Sequence, residues 1–205
     1  MKRGFLSFWV IAVLVSFAAG CADKGPAEHV KCSGKVKTVT HAIERQYSGI
    51  KVSDSIKVTV TDRVKHVTVS CDKRVLPYVI LAVKNNVLNI EYEETDIIGN
   101  PQTEILVPAS AELCYIYGIS SARISTEVPV AAKEVSVRGT SNAVLDITVD
   151  TRKCRVDINS GAILTLSGKA YDCHVEAATG AVFNGEKLDA ENFSSFSNGK
   201  TTINR

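Results

Sequence analysis

The sequence predicts an all-β protein, organised as a single-stranded β-solenoid or β-helix-like stack of short strands with an N-terminal β-rich cap region. Three observations predict it. Apolar and polar residues alternate from Lys37 onward; a small-residue triplet recurs at intervals near twenty residues in the C-terminal half; and no i, i+3, i+4, i+7 stripe follows the first twenty residues.

Those first twenty residues, 1–20, read as an export signal. Lys2 and Arg3 precede an apolar run from Phe5 to Ala19 that closes on Ala18, Ala19 and Gly20, and Cys21 follows at once. The run is shorter than the roughly 20 apolar residues, with matching flanks, that a spanning helix needs. Ala18-Ala19-Gly20-Cys21 resembles the lipobox of bacterial lipoproteins, with Ala18 where Leu is commonest. That likeness makes Cys21 the predicted lipidation site, cut free of the signal and acylated. Each buried CH₂ contributes about 0.8 kcal/mol, so several acyl chains hold a protein on a bilayer without any spanning segment. Residues 21–36 mix Lys, Gly, Pro, Glu and His without a period and read as a flexible linker.

Charge and cysteine content narrow the function classes. With Lys2 and Arg3 removed the basic count falls from 24 to 22, level with the 22 acidic residues. A near-neutral chain lacks the clustered basic excess that nucleic acid demands. Beyond Cys21, the cysteines Cys32, Cys71, Cys114, Cys154 and Cys173 show no CxxC or CxxxC, and no histidine stands at ligand spacing, so neither a metal nor a cofactor is expected.

The elements then follow in order within residues 37–205. Ile50 and Val52, then Ile56, Val58 and Val60, then Val64, Val67 and Val69 alternate with Lys, Ser, Thr and Asp, which makes strands. The more continuously apolar Val75 to Val83 contains Pro77 and fits either a short helical turn leading into a strand or a buried edge strand. Asn85-Asn86 then separates two apolar runs, and paired Asn tolerates the positive φ of a tight hairpin.

From residue 113 the chain repeats. The triplets Ser120-Ser121-Ala122, Ser141-Asn142-Ala143, Ser160-Gly161-Ala162, Thr179-Gly180-Ala181 and Ser197-Asn198-Gly199 have third positions 21, 19, 19 and 18 residues apart. Aligned on them, Ile116, Val137, Val156, Val175 and Phe193 form one column, and Ile124, Leu145, Leu164, Phe183 and Thr201 another. Each repeat is expected to hold two short strands joined by small turn residues, burying its inward columns on its neighbours. In this register Cys114, Cys154 and Cys173 share an inward column with Val135 and behave as small hydrophobes. Adjacent coils about 4.8 Å apart also bring Cys154 and Cys173 within disulfide reach.

Tyr47-Ser48-Gly49-Ile50-Lys51-Val52-Ser53-Asp54-Ser55-Ile56, the alternating Lys57-Val58-Thr59-Val60, Leu76-Pro77-Tyr78 and the later triplets together resemble the putative auto-transporter adhesin, head GIN domain family. The likeness spans roughly Val39 to Arg205; Asp54-Ser55 replaces a frequent Asp-Gly, and Ser120-Ser121-Ala122 lacks the usual glycine. It implies a right-handed solenoid-like fold, a place on lipoproteins of Gram-negative envelopes, and an adhesin role, and it transfers no catalytic residue.

The outward positions supply the candidate site. Tyr115, Ser136, Arg155, His174 and Asn192 align in one column, and Tyr117, Arg138, Asp157, Glu176 and Ser194 in the next, with Arg138 over Asp157. As a solvated face these make cross-strand ion pairs. As a recognition face, Tyr115 and Tyr117 with Arg138, Arg155 and His174 offer aromatic rings and donors to a sugar or peptide. The expected function is a non-enzymatic envelope lipoprotein that binds, adheres or scaffolds. Its expected partners are the membrane through Cys21, with the outer membrane as the site of anchoring, and a glycan or an envelope or host surface protein. A β-helix polysaccharide lyase or hydrolase would need converging carboxylates that Asp157 and Glu176 alone do not supply. A self-assembling role would use the strand edge at Thr201 to Arg205 to pair with a second copy.

Overall fold

The structure is a computed structural model that describes residues 29–205. The predicted export signal 1–20, the predicted lipidation site Cys21 and the segment read as linker up to residue 28 lie outside the described residues. The all-β class stands, in the form of one curled, half-barrel-like sheet. Among the described residues the only helical element is a single 3-10 turn, Leu76–Tyr78, and no helix is long and apolar enough to cross a membrane.

The end of the segment read as linker is ordered. His29–Lys31 forms strand β1 and pairs in parallel with β8 (Asp96–Ile98), a pairing too short and too distant in sequence to leave a period. Ser33 and Gly34 then donate their backbone N–H groups to the Asp72 carboxylate, both at 2.7 Å, and Arg74 N–H adds a third bond at 2.9 Å. The open alternative at Pro77 resolves as the first reading, a short helical turn leading into a strand that is only half-buried. The 3-10 turn leads into β6 (Val79–Lys84), an edge strand, and Asn85 and Asn86 at φ 52° and 61° turn it back antiparallel into β7 (Val87–Tyr92).

Parallel pairing then builds two rows. In the first, β7, β3 (Gly49–Val52), β10 (Tyr115–Gly118) and β12 (Glu134–Gly139) lie side by side. In the second, β9 (Glu104–Pro108), β4 (Lys57–Thr61) and β11 (Arg123–Thr126) do the same. The rows join through β13 (Val144–Ile158), whose beginning pairs with β11 and whose end pairs with β12. So the region expected to act as a cap extends both rows. The edges are instead dressed by antiparallel strands: β6 on the first, and on the second β5 (Val67–Asp72) with β2 (Val36–His41) beyond it.

After that the repeat departs from two short strands. β13, β14 (Ile163–Ala178) and β15 (Val182–Asn198) are continuous strands of 15, 16 and 17 residues that run through both rows. The corners are where the small triplets were read. Ser120-Ser121, Ser141-Asn142, Ser160-Gly161 and Thr179-Gly180 all hold φ between 51° and 77°, a conformation most side chains avoid. The levels also bond to one another, Ser121 N–H to Ser141 C=O at 2.9 Å and Asn142 N–H to Ser160 C=O at 3.0 Å.

Two of the inward columns run through most levels of the core. Leu88, Ile50, Ile116, Val137, Val156 and Val175 are direct cross-strand partners, all buried, as are Ile105, Val58, Ile124, Leu145, Leu164 and Phe183. Each such side chain contributes about 1.5–3 kcal/mol when buried. The last level corrects the predicted alignment. Val175 pairs with Ser195 and Phe183 with Ile203, so Phe193 and Thr201 leave the expected columns. A register shift between Thr165 and Ser167 takes the offset to the next strand from 19 to 20 residues. A repeat aligned on its turn residues alone cannot register such an insertion.

Candidate functional site

The inward column fixes the outward one, because side chains alternate across a strand. With Ile116, Val137, Val156 and Val175 inside, the residues on either side of each point to solvent. One outward row reads Gly49, Tyr115, Ser136, Arg155, His174, Ser194; the next reads Lys51, Tyr117, Arg138, Asp157, Glu176, Phe196. Four members of each predicted row hold their places. Asn192 does not, since it pairs with Asp172 and donates to its carboxylate at 3.0 Å. Ser194 moves to the first row beside His174, and Phe196 takes its place beside Glu176. Both changes follow from the same extra residue.

The centre of the face is an aromatic and guanidinium cluster. The rings of Tyr115 and Tyr117 lie 6.2 Å apart at 58°, and the Arg138 guanidinium stands 5.1 Å above the Tyr117 ring. Arg138 also pairs with Asp157 at 3.0 Å. Burial works against the Arg138 charge, but Asp157 and the two phenols outweigh it and hold the guanidinium more firmly protonated than usual. Burial likewise pushes the Tyr115 phenol up, only partly offset by Arg138. The Tyr115 ring therefore presents a neutral π-face and hydroxyl, and the arginine a permanent charge.

Arg155 and His174 join this cluster by position rather than contact. His174 is held by Ser194 at 2.8 Å and Glu176 at 3.3 Å. Arg155 lies in the Tyr115 row one strand beyond Ser136, and it borders two clefts. A cleft of about 430 Å³ runs from Tyr115 past Ser136 to Lys153 and Arg155. A smaller one, about 140 Å³, continues past Arg155 and His174 down to Cys154 and Cys173.

Sequence reasoning missed Gly49 and Lys153. Lys153 flanks both clefts, and Gly49 provides the floor under Tyr115. A Cβ at Gly49 would lie 3.0 Å from Tyr115 Cδ1 and 3.1 Å from Val87 Cγ2. The signal was in the Tyr47-Ser48-Gly49-Ile50 phrase, where glycine interrupts an otherwise good strand pattern; what it lacked was the identity of the ring above.

A separate cleft of about 570 Å³ is edged by Asp54, Tyr92, Glu93 and Asn100. Burial pushes the Tyr92 phenol up to about 12, and its hydroxyl donates to Thr103 at 2.6 Å. Among the described residues no group of three or more His, Cys, Asp and Glu side chains is placed to hold a metal ion.

Solved structures share this architecture. A putative adhesin from Bacteroides fragilis superposes with a TM-score of 0.76 at 16% identity, over 85% of this chain and 81% of its own. A putative adhesin from Parabacteroides merdae gives 0.69 at 17% identity, over 85% and 82%. A putative lipid binding protein from Parabacteroides distasonis gives 0.66 at 13% identity, over 86% and 84%. At these identities the likeness is one of fold. No curated protein matches the chain in sequence. The family model for the putative auto-transporter adhesin, head GIN domain, matches residues 46–204, from the residue before the Tyr47-Ser48-Gly49-Ile50 phrase through the last strand, and the chain belongs to that family.

Proposed function

We propose that this chain is a cell-envelope binding protein, held on the outer membrane by an acylated Cys21, that grips a glycan of another envelope or host surface with its Tyr115, Tyr117 and Arg138 face. The observation that carries the reading is that cluster itself. Two tilted rings and a guanidinium converge on one sheet face, and one of the rings, Tyr115, also borders a cleft of about 430 Å³. Aromatic faces stack on the apolar side of a sugar ring, while arginine, serine and tyrosine donors satisfy its hydroxyls. Arg155 and His174 extend the same surface. The family's adhesin description and the names of two structural neighbours point the same way.

The role is read as non-enzymatic. The two carboxylates on the face are engaged, Asp157 by Arg138 at 3.0 Å and Glu176 by His174 at 3.3 Å, whereas glycoside cleavage needs a pair converging on one bond. In this reading the 19-residue parallel offset is one turn of a right-handed solenoid, the sense that nearly all parallel crossovers take. Residues 29–205 then form a rigid head on a lipid-anchored tether.

The test is a glycan array probed with the full chain in detergent micelles, beside the Tyr115→Ala/Tyr117→Ala double variant. Saturable binding to a glycan class that the double variant loses is the expected result. Equal binding by the double variant, binding to none of the glycans, or binding only to lipid vesicles overturns the reading.

A further inference from the structure

In the inward column Val135, Cys154, Cys173 and Phe193 are successive cross-strand partners. Burial as a small hydrophobe accounts for either cysteine alone, since both are at most 2% exposed. It does not account for their meeting. Cys154 and Cys173 are direct partners in adjacent parallel strands, and neighbouring strands lie about 4.7–4.9 Å apart, inside the roughly 4.4–6.8 Å Cα separation of disulfides. Both side chains also line one cleft, of about 140 Å³, and each perturbs the other's titration.

The remaining cysteines are placed elsewhere. Cys71 bonds the Thr103 hydroxyl at 2.8 Å, Cys32 sits against Gly99, and Cys114, beside Val135, is two strands from Cys154 and out of bonding range. Both members of the pair are free thiols in this structure.

From this geometry we infer that Cys154 and Cys173 are a disulfide-forming pair that staples β13 to β14 in the envelope. The route for an oxidant exists. The cleft of about 140 Å³ is lined by both cysteines together with Arg155, His174 and Phe193. Arg205, whose guanidinium lies 4.6 Å over the Phe193 ring, places a positive charge near Cys173. The neighbouring Cys154 thiol, helped by that charge, pulls the Cys173 thiol down, which makes Cys173 the attacking thiolate in this proposal.

The oxidant is a small or protein disulfide of the exported compartment. Cys173 thiolate attacks one of its sulfurs, forms a mixed disulfide and releases one thiolate. Cys154 then loses its proton and attacks the Cys173 sulfur, closing the intramolecular bond and releasing the second thiolate. Two electrons and two protons pass to the oxidant, which leaves as two thiols. Paired positions on parallel strands hold their Cβ atoms near the strand spacing, wider than the roughly 3.5–4.5 Å of a relaxed disulfide. The bond therefore draws the strands together beneath Arg155 and His174 and reduces readily.

Only the oxidant's supply rests on the envelope location proposed above, and a purified chain separates the two questions. The full chain in micelles is equilibrated with mixtures of oxidised and reduced glutathione, trapped with N-ethylmaleimide while unfolding, and mapped by mass spectrometry. The expected result is a linkage between the Cys154 and Cys173 peptides, two fewer alkylated thiols, a higher thermal midpoint that falls back on mild reduction, and a mixed glutathione adduct on Cys173 in Cys154→Ala. Both thiols staying alkylatable under fully oxidising conditions, or pairing with Cys32, Cys71 or Cys114 instead, overturns the inference. Pairing in the purified chain but not in protein trapped directly in cells leaves the chemistry intact and removes the envelope location.

Discussion

Gly49 lies directly beneath the ring of Tyr115: a methyl group added there would stand 3.0 Å from Tyr115 Cδ1 and 3.2 Å from its Cβ. The two are cross-strand partners on β3 and β10, so the glycine lets the ring lie along the sheet. Gly49→Ala is expected to cost about 1–3 kcal/mol in urea unfolding, the usual penalty of overpacking. In a Tyr115→Ala background most of that cost should vanish, because contacting residues couple. An undiminished cost would place the problem at Val87 instead.

Gly168 is the harder case. It holds φ +95°, and a Cβ would sit 2.1 Å from the Val149 carbonyl oxygen on the neighbouring strand. Backbone cannot yield as a side-chain tip can. Gly168→Ala should cost more than about 3 kcal/mol, visible as loss of soluble protein or of a cooperative melting transition.

Asp72 gives the fold a pH dependence. Burial alone would raise its carboxyl, but the N–H groups of Arg74, Ser33 and Gly34 and the Ser33 hydroxyl outweigh it and hold the group below its ordinary 3.8. A carboxylate depressed in the folded state gives stability that is present above the unfolded value and is lost as pH falls through the folded one. Melting temperature should therefore decline below about pH 4, and Asp72→Asn should melt lower at neutral pH with a flatter acid limb. An unchanged limb in Asp72→Asn would move the acid sensitivity to other carboxylates.

Arg138 separates stability from recognition. Its pair with Asp157 is about two-fifths exposed on both sides, where such pairs contribute roughly 0–1 kcal/mol. Arg138→Ala should therefore shift the unfolding midpoint little, while lowering affinity for the proposed glycan at least about tenfold, the loss of one charge-assisted contact. A variant that unfolds early and still binds would reverse the assignment.

Much of the C-terminal half was readable because its levels differ by nearly constant offsets. Leu145, Leu164 and Phe183 could be stacked by counting alone, and they are stacked. Ile50, Leu88 and Ile116 belong to one column too, but β4, β5 and β6 intervene at irregular lengths and hide the period. Phe193 and Thr201 were misplaced because a register shift alters spacing without altering composition. For the face, the identities of Tyr115, Tyr117, Arg138, Arg155 and His174 followed from alternation. What sequence could not supply was depth: that Ser136 opens a cleft between Tyr115 and Arg155, and that the neighbouring cleft leads inward to Cys154 and Cys173.

The corners at Ser120-Ser121, Ser141-Asn142, Ser160-Gly161 and Thr179-Gly180 share one left-handed geometry, and consecutive levels bond corner to corner. Each joint is thus interchangeable with the next. A gene encoding such a chain can lengthen or shorten by whole levels without inventing a new bend, and every level added brings its own fresh outward side chains. The breadth of the surface this protein presents is in that sense counted in integer steps, and relatives are free to differ in reach while keeping the same hinge chemistry.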